Sequence, residues 1–281
     1  DLSEMELTGV IPPEIGNLKN LTYLDLRLNL LTGSIPSEIG NLKNLTILYL
    51  SGNQLTDSIP SEIGNLTSLT ELILYFNDLN GKIPPEIGNL TNLEFLNLGS
   101  NNLEGEIPPE IGNLTNLTHL WLFNNQLTGV IPSSIGNMTS LNYIVLFSNK
   151  LTGSIPPEIG NLTKLNGLSL GDNQLTGLIP SEIGNLTNID WYIYLNSNQL
   201  TGSIPPEIGN LVNMTILRLD DNQLTGSFPP ELENLINLID INLSNNLLTG
   251  LLPDEICNLN ITSLFTPTLY NNKFCLFYFK F

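Results

Sequence analysis

The sequence contains little charge, little cysteine and almost no histidine. Only 13% of the 281 residues are charged, there are two cysteines, and His119 is the single histidine. With so few nucleophiles, bases and metal ligands, no arrangement typical of a hydrolase, a phosphate-binding loop or a metal centre is present in the sequence. We therefore expect no enzyme activity, no catalytic residue, no bound metal and no cofactor.

Positive charge is especially scarce. Nine basic residues stand against 27 acidic ones, which gives a formal net charge of −18. A nucleic-acid or anionic-membrane partner is disfavoured because its phosphates would be repelled, whereas a basic partner is permitted; acidity also promotes solubility. No apolar run reaches the roughly 20 residues that span a bilayer, and residues 1–4 lack a signal-peptide pattern, as expected of a mature or trimmed chain.

What the sequence does contain is one unit repeated along the chain. Its most regular feature is an asparagine that recurs every 24 residues, with one step of 25, at positions 29, 53, 77, 101, 125, 149, 173, 198, 222 and 246. The extra residue of the irregular step lies within 190–192, which predicts a local bulge. Self-similarity at this period predicts a solenoid, in which each repeat buries its apolar face against its neighbours.

The positions within one repeat have separate physical roles. Leu24 and Leu26 alternate with variable residues, which is typical of a short strand with its leucines turned inward. Ile39 adds to the core from the opposite side of the coil. The recurrent asparagine is expected inside a turn, where its amide satisfies unpaired backbone groups. Gly33 permits unusual backbone angles, and Pro36 restricts φ where a long helix would not fit.

The repeat resembles the plant-type extracellular leucine-rich repeat, with signature LxxLxLxxNxLTGxIPxxIGxL, from Leu2 to about Leu259. This family includes receptor-kinase ectodomains and polygalacturonase-inhibiting proteins, although the very uniform coils are more similar to microbial or protist repeats. The resemblance implies an α/β-type solenoid dominated by β: a curved right-handed coil with a parallel concave sheet, a second short sheet and convex 3-10 turns. It also implies an extracellular, secreted or cell-surface location.

We divide the chain into a partial N-terminal repeat (1–17), a solenoid of about ten coils (18–258) and a degenerate C-terminal cap (259–281).

The two ends of the solenoid differ. Cys257 replaces the repeat glycine and Cys275 lies in the degenerate last coil, so we expect a disulfide that ties the cap to the solenoid; a metal site or a reactive thiol are the alternatives. The aromatic residues around Cys275 are expected to cover the open core or to form an assembly surface. Self-association through the solenoid ends is therefore a further hypothesis.

The variable residues that flank the strand leucines should point out of the concave sheet. Six of the eight tyrosines, both arginines and the single histidine fall at such positions. Exposed aromatic patches usually mark interaction surfaces, although aromatic residues also stabilise sheets by stacking across strands. The predicted ligand-binding residues are Arg27, Tyr75, Phe76, Phe95, His119, Trp121, Phe123, Tyr143, Phe147, Tyr192, Tyr194 and Arg218.

These residues favour a non-catalytic scaffold that recognises a protein or peptide on its concave face. Two alternatives are an extracellular fibre component that stacks end to end and a binder of carbohydrate or ice through recurrent threonines such as Thr128 and Thr152. Ten of the acidic residues form one recurrent ladder, which indicates a solvated face rather than a pair of glycosidase carboxylates. Candidate N-glycosylation sites are Asn65, Asn89, Asn113, Asn137, Asn161 and Asn185.

Overall fold

The computed structural model describes residues 1–251 and 269–275. The chain divides into two compact units, Asp1–Lys150 (unit 1) and Leu151–Phe281 (unit 2). Every strand pair given for the described residues is parallel, and all their helices are 3-10 turns. The predicted β-dominated repeat coil is confirmed, while the predicted domain bounds stay a prediction.

In each unit the leucine-bearing strands form one parallel sheet, which we call the principal sheet. Its alternating pattern turns residues such as Leu48 and Leu72 into the core, where both are fully buried. Equivalent residues of successive coils are paired, as in Ile47 with Glu71. The unit 1 strands are Tyr23–Asp25, Ile47–Tyr49, Glu71–Ile73, Phe95–Asn97, His119–Trp121 and Tyr143–Val145; the unit 2 strands are Gly167–Ser169, Tyr192–Tyr194, Ile216–Arg218 and Asp240–Asn242.

A second set of short strands follows the recurrent asparagines. In unit 1 these strands are Thr8–Val10, Leu30–Gly33, Gln54–Leu55, Asn80–Lys82, Asn102–Glu106 and Gln126–Thr128; in unit 2 they are Thr176–Leu178, Gln199–Ser203, Gln223–Thr225, Thr249–Leu251 and Lys273–Cys275. The expected single second sheet is instead divided into groups of two or three strands. One break follows Gln54–Leu55, where Asp57 replaces the repeat glycine and takes a left-handed φ of 64°, a costly conformation for a residue with a side chain. A single bridge between Ser58 and Asn80 remains there.

The side of the coil opposite the principal sheet consists of one 3-10 turn per repeat. The turns are Pro13–Asn17, Ser37–Asn41, Ser61–Asn65, Pro85–Asn89, Pro109–Asn113 and Ser133–Asn137 in unit 1, and Pro157–Asn161, Ser181–Asn185, Pro206–Asn210 and Pro230–Asn234 in unit 2. A proline in extended conformation precedes each turn, as at Pro84. The glycine within the turn permits close coil packing, because a Cβ on Gly88 would lie 2.4 Å from the Glu110 carbonyl oxygen.

The recurrent asparagines, which together we call the asparagine ladder, connect successive coils by hydrogen bonds. The Asn125 Nδ2 donates to the carbonyl oxygens of Leu122 in its own coil (3.1 Å) and Leu98 in the preceding coil (3.0 Å). Its Oδ1 accepts from the Leu103 N–H at 3.0 Å. The same pattern recurs one coil earlier at Asn101. The predicted role of this asparagine is confirmed, and the structure adds that two of these three partners, Leu98 and Leu103, belong to the preceding coil.

Loss of one ladder asparagine should leave several buried backbone groups unpaired. We expect Asn125→Ala to lower the free energy of unfolding by about 3–5 kcal/mol, at about 1–3 kcal/mol per unpaired group, as measured by urea denaturation. Asn113→Ala, at an exposed position of the same region, should change it by less than about 0.5 kcal/mol. Equal losses in the two variants would contradict the assigned role.

Candidate functional site

The outward-facing side chains of the principal sheet in unit 1 bring most of the predicted ligand-binding residues together. Strand pairing places Phe95, His119 and Tyr143 side by side in one row. Trp121 lies in the next row, opposite Asn97 and Val145. The sheet therefore displays aromatic rings from adjacent coils on one face, as its alternation of inward and outward residues requires.

Four of these rings form a packed group, which we call the ring group: Phe95, His119, Trp121 and Tyr143. The ring centroids of Phe95 and Trp121 are 5.0 Å apart in an edge-to-face arrangement, and His119 stacks on Tyr143 at 5.2 Å. Their mutual contacts leave each ring half-buried. Such contacts stabilise the sheet by cross-strand stacking, so the rings contribute to the framework while still presenting part of their surface to solvent.

A second line of rings, the ring row, lies beside this group. It consists of Phe76, Tyr75, Phe123 and Phe147, with Phe123 stacked on Phe147 at 5.0 Å and 5.8 Å from Tyr75. Gly99 makes the row possible, because a Cβ at that position would lie 2.6 Å from Phe123 Cε1. The sequence did not reveal this glycine as part of the site, since its role is to leave space.

Phe76 adopts a backbone conformation that is unfavourable for a bulky residue. Its φ is 56°, in the left-handed region, and its side chain is 62% exposed. The equivalent position holds Gly52, Ser100 and Asn124 in neighbouring coils, all with positive φ. A non-glycine residue held there costs on the order of 1–3 kcal/mol, a cost that the repeat also carries in other coils, as at Leu28. Core packing does not account for Phe76, because its ring is largely in solvent.

Two nitrogen atoms of the ring group are turned away from solvent or already paired. The Trp121 Nε1 is buried and has no hydrogen-bond partner among the described residues. The His119 Nδ1 is 2.8 Å from Thr118 Oγ1. Burial lowers the pKa of His119 below its usual value of 6.5, because desolvation disfavours the charged imidazolium. The group therefore presents largely neutral ring surface at neutral pH.

Charged residues border the rings of unit 1. The guanidinium of Arg27 binds the buried Asp25 carboxylate at 2.6 Å and lies 4.5 Å from the Tyr49 ring centroid. Glu71 accepts a hydrogen bond from the Tyr49 hydroxyl. Burial and this bond to the carboxylate raise the pKa of Tyr49. Arg27, predicted to contact ligand, is therefore already paired, although its side chain is 40% exposed.

Unit 2 holds a smaller aromatic set. Tyr192 stacks on Tyr194 at 4.7 Å, and Trp191, 53% exposed, lies 5.0 Å from Tyr192. Arg218 forms an ion pair with Asp240. The predicted ligand contacts of Tyr192, Tyr194 and Arg218 stay predictions, as do those of the unit 1 residues.

The other predicted sites are positioned as follows. All six candidate glycosylation asparagines are exposed at the ends of 3-10 turns, and their modification stays a prediction. The Cys257–Cys275 disulfide lies outside the described residues, because Cys257 and the Cys275 side chain are not described. Within 1–251 and 269–275, no cluster of three or more candidate metal ligands occurs, and no helix has the length and hydrophobicity to span a membrane. Self-association through the ends also stays a prediction.

Comparison with protein-family models matches the repeats along the chain. A leucine-rich repeat region matches residues 74–174, a leucine-rich repeat model matches 1–55, and single repeats match 164–186, 191–211, 213–235 and 237–259. No match was found among curated protein sequences.

Solved structures give three informative likenesses. The ectodomain of the Arabidopsis receptor kinase HAESA, in complex with an extended IDA peptide hormone, is 37% identical with a TM-score of 0.86, over 98% of this chain and 46% of its own. A leucine-rich-repeat protein of Leptospira interrogans is 35% identical (TM-score 0.68; 95% of this chain, 69% of that one). A plant ice-binding protein is 29% identical (TM-score 0.66; 96% and 78%). The chain spans less than half the length of the HAESA ectodomain.

The single histidine allows a direct test of the ring group. We expect the His119 imidazole resonance to titrate with a pKa below 6.5, and Phe95→Ala to raise that pKa by re-exposing the ring. Phe147→Ala, which removes a ring not in contact with His119, should leave it unchanged. Because the folded-state pKa is lowered, the stability that the neutral imidazole contributes is present above pH 6.5 and is lost as the pH falls through the lowered pKa. A folded-state pKa at or above 6.5 would contradict the packing described.

Proposed function

This chain belongs to the leucine-rich-repeat family, in its plant-type extracellular form, and we propose that it is a non-catalytic scaffold that binds a peptide on the aromatic face of unit 1. The observation that carries the proposal is the ring row, in which the exposed Phe76 ring adjoins Tyr75 and, through it, the stacked pair of Phe123 and Phe147. The left-handed backbone recurs at this position of other coils, as at Leu28, so the feature that distinguishes Phe76 is its exposed aromatic ring. Aromatic side chains are also enriched among the residues that dominate binding energy.

The face combines apolar and polar surface in the way a peptide requires. Phe76 lies at the edge of a shallow depression of about 520 Å³, lined mainly by Asn102, Asn124, Ser100 and other polar residues of the adjoining turns. Side-chain amides and hydroxyls both donate and accept hydrogen bonds, so they can pair with a peptide backbone. The rings would hold apolar side chains, while the depression would hold main chain or polar groups.

The frame favours binding because its rings are already ordered. Phe123 is in contact with both Tyr75 and Phe147, and the strands beneath are fixed by the asparagine ladder. Ordering a side chain on binding costs about 0.5–1.5 kcal/mol, which preordered rings avoid. The peptide-hormone complex of HAESA, the similar receptor ectodomain, supports this kind of ligand and an extracellular or cell-surface location.

The strained ring provides a test that separates binding from stability. We expect Phe76→Asn to weaken peptide binding about tenfold or more, which corresponds to about 1.4 kcal/mol, while raising the unfolding free energy by up to about 1 kcal/mol, since asparagine tolerates the left-handed region. Peptides would be selected from a random phage-displayed library on the wild-type protein and their affinities measured by calorimetry.

Leu28 provides a matched control, because it occupies the position equivalent to Phe76 in a coil outside the ring row. Leu28 has φ 53° and 59% exposure at the equivalent position of its own coil, so Leu28→Asn should relieve similar strain without affecting binding. Trp121→Ala should weaken binding as Phe76→Asn does. Selected peptides that bind both ring variants as tightly as the wild type would refute the proposal.

A second candidate function is binding to ice, favoured by the similarity to a plant ice-binding protein. Threonines recur in successive coils of unit 2, and Thr152, Thr176 and Thr225 are exposed. Two features count against it. First, the strands pair two residues out of step with the repeat, so that Thr176 lies opposite Gln199 rather than Thr201. Second, the Thr201 hydroxyl donates to the Gly177 carbonyl oxygen of the preceding coil at 3.2 Å. Measurable thermal hysteresis would favour this function over peptide recognition, and its absence would eliminate it.

A further inference from the structure

The outer face of the principal sheet in unit 1 carries one carboxylate that is not balanced by a cation. Asp25 is paired with Arg27, whereas Glu71 receives only the neutral Tyr49 hydroxyl and has no ion-pair partner within residues 1–251 and 269–275. Strand pairing places Glu71 directly beside Phe95, at the strand spacing of about 4.8 Å. A negative charge therefore borders the ring group.

Phe95 beside Glu71, and Trp121 packed against Phe95, present apolar ring surface to solvent. The Trp121 Nε1 is closed to solvent, so the accessible part of this indole is apolar. The Phe95 and Trp121 rings meet edge to face at 5.0 Å, which arranges two ring surfaces at an angle to one another. Cations are attracted to aromatic faces within about 6 Å of the centroid, most strongly to tryptophan.

No basic side chain of the described chain occupies this place. Arg27, which follows the first strand of this sheet, is held by Asp25 and lies over Tyr49 instead. The imidazole of His119 is neutral at neutral pH, because burial lowers its pKa, so it does not repel a cation. Unit 1 as a whole carries fifteen acidic and five basic side chains, and such a field attracts a positively charged ligand from a distance.

We propose that the ring group and Glu71 together form a seat for a lysine or arginine side chain of the bound peptide, with the cation over the Phe95 and Trp121 rings and the Glu71 carboxylate as its counter-ion. This inference rests on the proposed function and specifies the chemistry of its ligand. A guanidinium fits the place better than an ammonium, because its planar group can lie against a ring while donating hydrogen bonds to a carboxylate in its own plane.

The test compares two probes that differ only in charge. Acetyl-Gly-Arg-Gly-amide and its citrulline counterpart have nearly the same shape, but citrulline is neutral. Binding is followed by nuclear magnetic resonance on the single His119 imidazole and on the Trp121 indole N–H, distinguished from the only other indole by Trp191→Phe. At physiological salt we expect the arginine probe to bind about three- to tenfold more tightly than the citrulline probe, the range of an exposed cation–π contact and an exposed ion pair.

Charge-matched variants separate the seat from general attraction to an acidic protein. Glu71→Gln should remove most of the preference for arginine, whereas Glu86→Gln, which makes the same change in net charge at an exposed 3-10 turn, should preserve it. Equal affinity for the two probes, or equal effects of the two variants, would overturn the inference. Two outcomes with library-selected peptides are distinguishable. If their binding depends on Phe76 and Trp121 but tolerates replacement of arginine by citrulline, the cation seat is overturned and peptide binding stands. If their binding depends on neither ring, the proposed function itself is overturned.

Discussion

The structure depends on hydrogen bonds made by one buried amide per coil. In a repeat of 24 residues, a turn must follow each principal strand, and every turn leaves backbone N–H and C=O groups that cannot join the sheet. The asparagine amide has two donors and an acceptor, and it satisfies groups in its own coil and in the preceding one. Since an unpaired buried group costs more than a made bond contributes, each asparagine both permits its turn and links it to the coil before.

Much of this framework could be predicted from the sequence, because it is determined by what repeats. The period located the coils, alternation identified leucines such as Leu48 as inward-facing, and the turn required an amide such as that of Asn125. The division of the second sheet could not be predicted from the repeat, because the repeat continues across the breaks and only one break coincides with a substitution, that of the repeat glycine by Asp57. The close approach of successive coils at Gly88 was also missed, since a glycine gives no sequence signal of the neighbour that excludes a side chain.

The site could be predicted only in its outline. Strand parity identified Phe95, His119 and Trp121 as outward-facing, and the structure places them together. The sequence did not reveal that these rings half-bury one another. This mutual burial makes them part of the sheet as well as of the surface. Nor did the sequence reveal that Arg27 is paired with Asp25, or that Phe76 occupies a left-handed position, because ion pairing and backbone angles arise from neighbouring coils rather than from the local pattern.

The asparagine ladder also has a consequence for how such a chain can change in length. The partners of Asn125 in the preceding coil are equivalent, position for position, to those of Asn101. Deletion or duplication of one whole coil in this region would therefore join two surfaces whose hydrogen-bond requirements already match. A change of a few residues would instead misalign donors and acceptors. Coil number is thus a variable that evolution can adjust in whole steps, and each step adds or removes one set of outward-facing residues while the interior remains the same.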